Sequence, residues 1–281
     1  MQPVSCALLF FVLVIKPIKK TSCSNFVKKK FLSQIVFLNL KFCSITGNGF
    51  IRSIANVIVE ISNSIDNFRF HIKRMTNQKK IYIVRHGQTE FNKQSIVQGS
   101  GVDTELNEKG KWQAAAFYDY YKNVPFDKIY ISSLIRTFQS VNNFISDGIA
   151  FEKLSELNEI GWGVFEGKLQ DGKQRQHFAE LIFEWGKGNF GFSIEGGESI
   201  LQLMERQKIA TQKIFSNPDE KTILICMHGR AMKSLLCILL NKSLSQMEEF
   251  EHQNLCLYQL DYDGENFSLV KRNDTEHLNT K

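Results

Sequence analysis

The sequence predicts an α/β fold, a three-layer α/β/α sandwich around a mainly parallel sheet. Two observations carry this. From residue 79 onward, short apolar strands alternate with segments of helical pattern, as βαβ units require. Two of those strands, IYIV at 81–84 and ILICM at 223–227, are apolar at consecutive positions, which suits strands covered on both faces.

Taken in order, residues 81–84 form a short buried strand. Residues 108–121, with WQAAAFYDYY, form a helix. A strand at 129–132 leads to a helix at 134–145, and a strand-like stretch follows at 151–154. Residues 168–197 collect Gly, Lys and Gln around FAELIFEWGKGNF and are expected to form a small cap over the sheet's crevice. A longer helix covers 200–215, with Glu198 and Glu205 early, where the helix dipole favours acids. Residues 222–227 form the second buried strand, and a helix follows at 231–240. The last strands, 255–262 and 267–271, flank DYDGEN, whose Asp-Gly pair marks a hairpin turn.

Composition bounds the function. Of 281 residues, 43% are apolar and 23% charged, as in an ordinary globular protein. The net charge of +6 is unevenly spread. Residues 1–74 hold 11 Lys and Arg against only Glu60 and Asp66, giving +9, and the remainder carries −3. The folded part therefore has no basic excess, and nucleic acid is not an expected partner. Six cysteines are too few for a disulfide framework. Cys226 and Cys237 sit in apolar runs and read as buried small hydrophobes. No cysteine pair has zinc-ligand spacing, so no metal site is expected. The expected location is cytoplasmic.

The chain changes character near Met75, after which come all three Trp and all seven Tyr. Before it, ALLFFVLVI at 7–15 is too short to span a bilayer. It has the length of a signal-peptide core, but no Lys or Arg precedes it and no good A-x-A site follows. KKKFLSQIVFLNLKF at 28–42 has the pattern of a basic amphipathic helix suited to a membrane surface. The plainer expectation is kept: residues 1–74 are a basic extension outside the folded domain, with no membrane partner. MTNQKKIYIVRHG then reads as the true start, with the domain running over 75–281 from Met75.

Chemistry is expected where the two buried strands end. IYIVRHG and ILICMHG each deliver a His-Gly pair, His86-Gly87 and His228-Gly229. Ligands of open α/β sheets bind outside the carboxyl ends of the strands, so neighbouring strands would turn both imidazoles to one crevice. Arg85 precedes the first histidine, and Arg136 lies near the start of the helix after another strand. Two guanidiniums hold a tetrahedral dianion through charge-assisted hydrogen bonds, and Asn92 offers a neutral donor. A neutral imidazole, with an ordinary pKa of roughly 6.5, can attack phosphorus. Glu159, in the loop LNEIGWGVFEG at 157–167, can supply the proton that a leaving alkoxide needs.

RHGQTEFN at 85–92 resembles the signature of the histidine phosphatase superfamily, the cofactor-dependent phosphoglycerate mutase-like proteins. The resemblance continues, in the family's order, through QGSGVDTELNEKG (98–110), SSLIRTFQS (132–140), LNEIGWGVFEG (157–167), GGES (196–199) and MHGRAMKSLL (227–236). It covers roughly residues 79–260, and blocks in order are far more specific than one tripeptide. The resemblance implies a phosphoglycerate mutase-like fold and a phosphohistidine intermediate on His86. It implies that Arg85, Arg136 and His228 bind the phosphoryl group with Asn92 assisting. It implies Glu159 as proton donor and then base, and the Gly87 carbonyl as the group fixing the His86 tautomer through Nδ1–H. No metal, nucleotide or other cofactor is implied, and the expected partner is a small phosphorylated metabolite. Oligomeric state is open, with a homodimer as the assembly held in view.

Two departures matter. The mutase branch has ERHYG around its acid and longer insertions after it, whereas this chain has NEIGWG and a short following segment. That favours metal-independent hydrolysis over a mutase; a catalytically inactive phospho-ligand or protein-binding member is a third reading. Arg230 stands where many members have a second Gly, and is expected to point to solvent rather than to a second acidic group of the substrate. Gln98, Gly99, Gly229 and Arg230 are the pocket candidates, with Gln98 and Gly99 either lining the entrance or shaping a loop. Glu166 is expected to support its turn, Trp185 and Phe183 to form the cap's core, His177 and His252 to lie on the surface, and His71 and His277 to lie in poorly defined ends.

Overall fold

A computed structural model describes residues 77–279, together with Val59, Ser62, Asn63, Ile65 and Asp66. The chain divides after Phe68, and the elements below belong to the second unit, Arg69–Lys281. The expectations for residues 1–74, for a start at Met75 and for His71 lie outside the described residues, those five positions apart.

Strand β1 (Lys79–Arg85) is followed by a one-turn helix, α1 (Glu90–Lys93), closed by a capping box between Thr89 and Asn92. Helix α2 (Glu108–Tyr121) starts at Asn107, whose side chain accepts from Gly110 N. Next come β2 (Lys128–Ile131), α3 (Ile135–Ser146) and β3 (Phe151–Lys153). Two 3-10 turns, Ser155–Leu157 and Gly163–Phe165, lead to α4 (Gly172–Gly186), capped by Asp171. Helix α5 (Ile200–Ser216) opens on a Ser199–Gln202 capping box. Then follow β4 (Thr222–Met227), α6 (Gly229–Leu239), β5 (Leu257–Tyr262) and β6 (Phe267–Asp274). Helix α6 begins two residues earlier than its pattern predicts, because extended His228 itself occupies the N-cap position. The Asp-Gly hairpin forms, with Asp263 Oδ1 accepting from Asn266 N and Gly264 at φ +98°.

The six strands run in the order β3-β2-β4-β1-β5-β6. The first four are mutually parallel, and β5 and β6 are antiparallel additions. Side chains alternate across the sheet. Ile81, Ile83, Ile223 and Ile225 face one core with Leu203 and Ile214 of α5 and Leu235 of α6. Tyr82, Val84, Leu224 and Cys226 face the other with Phe117 of α2 and Phe144 of α3. Both faces are covered, which explains the unbroken apolar runs.

Two placements correct the sequence reading. Trp185 is buried in the main core beside Leu181, but Phe183 is 61% exposed. Positions 181 and 185 share one face of α4 and 183 lies on the opposite one. His277 is fully buried, with its ring against Phe117 and Tyr121, because the last 3-10 turn (Glu276–Leu278) docks on α2. Among the described residues no helix is long and apolar enough to cross a membrane.

Candidate active site

Strand pairing builds the site. β1 and β4 are adjacent and in register, Arg85 opposite Met227, so His86 and His228 leave the sheet side by side. His86 N donates to Met227 O at 2.9 Å, and the two imidazole centroids lie 5.2 Å apart. Both rings are buried. His86 Nδ1 lies 2.7 Å from the Gly87 carbonyl, which can only accept. Nδ1 therefore carries the proton, and Nε2 presents a lone pair.

Arg136, from the first turn of α3, is fully buried beside the pair. Its Nε donates to His228 Nδ1 (3.2 Å), Nη1 to Val102 O (2.7 Å) and Nη2 to Gly99 O (3.3 Å). Three of a guanidinium's five N–H groups are thus engaged and two are left. Arg85 Nη1 donates to His252 Nδ1 at 3.2 Å, and its buried Nε has no partner among the described residues. Both cations bond to carbonyls and imidazoles rather than to carboxylates. Burial pushes Arg136 down to about 10 and lowers Arg85 as well.

Glu159 is buried in the loop between the 3-10 turns. Its Oε1 accepts from Ile160 N (2.9 Å) and Ala231 N (2.8 Å), and its Oε2 from Arg230 N (3.0 Å). The carboxylate thus sits on the N-terminal turn of α6, one residue beyond His228-Gly229, where free N–H groups favour an acid.

The remaining candidates mostly act as supports. Asn92 Oδ1 accepts from Thr89 N and from Asn254 Nδ2. Gln98 gives its amide to Thr89 and takes the Thr104 hydroxyl, and so shapes its loop. A Cβ on Gly99 would stand 2.0 Å from Glu166 Oε1, so only glycine lets this carbonyl reach Arg136 beside that carboxylate. Glu166 in turn accepts from Trp162 N at 2.8 Å, holding its turn. Arg230 does not point to solvent: its side chain is 14% exposed, stacked 5.5 Å from the Trp185 ring and paired with Glu248, which also binds Lys233.

Three site residues escape the sequence reading. His252 is no surface residue; it receives Arg85 and packs so close to Gly229 that a Cβ there would lie 2.7 Å from its ring. Asn254 ties His86 O to Asn92. Ser132 Oγ lies 2.8 Å from His228 Nε2. His177, by contrast, is exposed as expected.

Electrostatics keep the imidazoles neutral. Burial, then Arg136 and Arg85, hold His86 well below its ordinary range. His228 is pushed the same way by burial and Arg136, and His252 falls to about 3 through burial and then Arg85. On unfolding these rings regain a pKa of about 6.5, so below that pH the unfolded chain binds more protons. Their contribution to stability is complete above about pH 6.5 and declines as pH falls below it. Thermal melts from about pH 7 down to about pH 5 are expected to show Tm falling steadily. A flat Tm over that window would contradict neutral burial.

The family model of the histidine phosphatase superfamily (branch 1) matches residues 81–275. Fructose-2,6-bisphosphatase TIGAR B of Danio rerio is 31% identical over 157 residues, covering 54% of this chain and 57% of that relative. The chain thus spans little more than half that relative's length. Phosphoserine phosphatase 1 of Hydrogenobacter thermophilus is 26% identical over 201 residues, covering 71% of this chain and 94% of the relative. Among solved structures, phosphoserine phosphatase from Entamoeba histolytica in complex with 3-phosphoglyceric acid superposes with a TM-score of 0.62 at 24% identity, covering 71% and 99% of the two chains, a likeness of fold. With the two parallel strand ends, their histidines and a family match over most of the chain, this protein belongs to the histidine phosphatase superfamily, branch 1.

Proposed function

We propose that the domain at 75–281 hydrolyses phosphate monoesters of small metabolites without a metal ion, through a phosphohistidine on His86. One observation carries this reading. A neutral imidazole whose Nε2 presents a lone pair stands among two guanidiniums that, among the described residues, still hold unspent N–H donors and make no ion pair or hydrogen bond with a carboxylate. Buried unpaired cations are costly, and a phosphoryl dianion is the ligand that offsets them.

His86 Nε2 attacks phosphorus, a P–N bond forms and the bond to the leaving oxygen breaks. Glu159 gives that oxygen a proton; Oε2, with one N–H donor against two on Oε1, is the oxygen with room to carry it. The resulting carboxylate then takes a proton from water, whose oxygen attacks phosphorus and releases inorganic phosphate from His86. Arg85 and Arg136 hold the equatorial oxygens, as does His228 once its Nε2–H turns from Ser132. Asn92, whose amide oxygen is already used, assists with its N–H₂. A cytoplasmic location belongs to the same reading.

The test is product analysis in the presence of EDTA. With p-nitrophenyl phosphate and with 3-phosphoglycerate, stoichiometric inorganic phosphate is expected. Conversion of 3-phosphoglycerate to its 2-isomer without phosphate release would establish a mutase instead. No turnover of any phosphate monoester would support the inactive binding member.

A further inference from the structure

We propose that Arg206 is the positioning residue for Glu159: it fixes the main chain of the acid–base loop from behind. The inference rests on the reading of Glu159 as the proton carrier. Arg206 lies on α5, and its Nη1 donates to Glu156 O and Asn158 O, both at 2.8 Å. Its Nη2 donates to Glu159 O at 3.0 Å and to Glu198 Oε2 at 2.8 Å, and Nε donates to Glu198 Oε1 at 2.7 Å. Five bonds use all five N–H groups of the guanidinium. Arg136 and Arg85 keep donors in hand for a ligand; Arg206 keeps none. Its work is therefore done on the protein, on Glu198 and on three carbonyls of the short stretch 156–159 that carries the acid.

Glu198 extends the grip. Its Oε2 also accepts from Gly161 N (3.3 Å), while Glu198 N donates to Gly161 O (2.8 Å) and Val164 N to Glu195 O (3.0 Å). The segment 195–198 is thus zipped to 161–164, directly after Glu159. On the other side the Glu159 carboxylate is pinned by Arg230 N and Ala231 N. Main chain and carboxylate are held by two different helices, α5 through Arg206 and the first turn of α6, which fixes where the proton is delivered. A misplacement of about 1 Å can cost about 100-fold in rate, and lysine cannot reproduce a planar five-bond fork.

Leaving-group dependence is the readout that a merely structural role would not move. p-Nitrophenolate departs without a proton, whereas an alkoxide requires one. Arg206→Lys, Arg206→Met and Glu198→Gln are compared with wild type and Glu159→Gln on p-nitrophenyl phosphate and glycerol phosphate, using kcat/KM. For the Arg206 variants, kcat/KM on the alkyl ester is expected to fall about 10- to 100-fold, and that on the aryl ester by no more than about threefold. Glu198→Gln, which turns one of the two accepting oxygens into a donor and so loosens the Arg206 fork without removing it, is expected to show the same selectivity in smaller degree. Glu159→Gln should show it most. If Glu159→Gln is selective but the Arg206 and Glu198 variants lose both substrates equally, or neither, the positioning role is overturned. If Glu159→Gln itself is not selective, the acid assignment fails, and the inference with it. Should Arg206→Met not fold, Arg206→Lys and Glu198→Gln decide.

Discussion

His86→Ala is expected to lower turnover of phosphate monoesters by about four orders of magnitude or more, since loss of a covalent nucleophile leaves only binding and electrostatic assistance. The fold should survive. His86 is not part of the apolar core but stands at the strand end, and among the described residues its side chain bonds only to the adjacent Gly87 carbonyl. Losing that partner costs about 1–3 kcal/mol. His86→Asn offers an amide N–H to the same carbonyl but no nucleophilic nitrogen, so it should be equally inactive and closer to wild type in Tm. Phosphate-release assays with melts on the same samples check both statements. Activity surviving in either variant would remove His86 from the mechanism.

Arg136→Met is expected to lower kcat/KM by about 100- to 1,000-fold, the usual effect of removing a preorganised donor aimed at developing negative charge. Unlike His86, this residue also binds the scaffold. Without it, Val102 O and Gly99 O lose their partner and His228 Nδ1 loses its donor. The loop at 98–106 should loosen, with a stability loss of about 1–3 kcal/mol for the unsatisfied groups. Arg136→Lys keeps the charge but reaches only part of this fork, so a loss nearly as large is expected. Steady-state kinetics on wild type and both variants is the check; a kcat/KM within about threefold of wild type would show that Arg136 does not act on the phosphoryl group.

The parallel part of this fold is written in its residues. Unbroken apolar runs mark β1 and β4 because both faces of the sheet are covered, and a rule about carboxyl strand ends then suffices to bring His86 and His228 together. The same rule hides His252 and Asn254. They precede β5, which runs antiparallel to β1, so its beginning lies where β1 ends; Leu255 N donates to Arg85 O. A polar pair ahead of an apolar strand gives no sign of this unless the strand's direction is known. Arg230 misleads for another reason. A cation after a helix start reads as solvated, but here Trp185 and Glu248, 45 residues before and 18 after it by number, close over it. Arg206 is invisible to residue-type reasoning, since three of its five bonds go to main-chain carbonyls, which leave no mark in the sequence.

The central claim is that phosphate passes through His86. Wild-type enzyme mixed with p-nitrophenyl phosphate, quenched in alkali within a turnover and digested, should yield a peptide containing His86 with an acid-labile phosphate on the imidazole. Label found on another residue, or none while turnover proceeds, would contradict it.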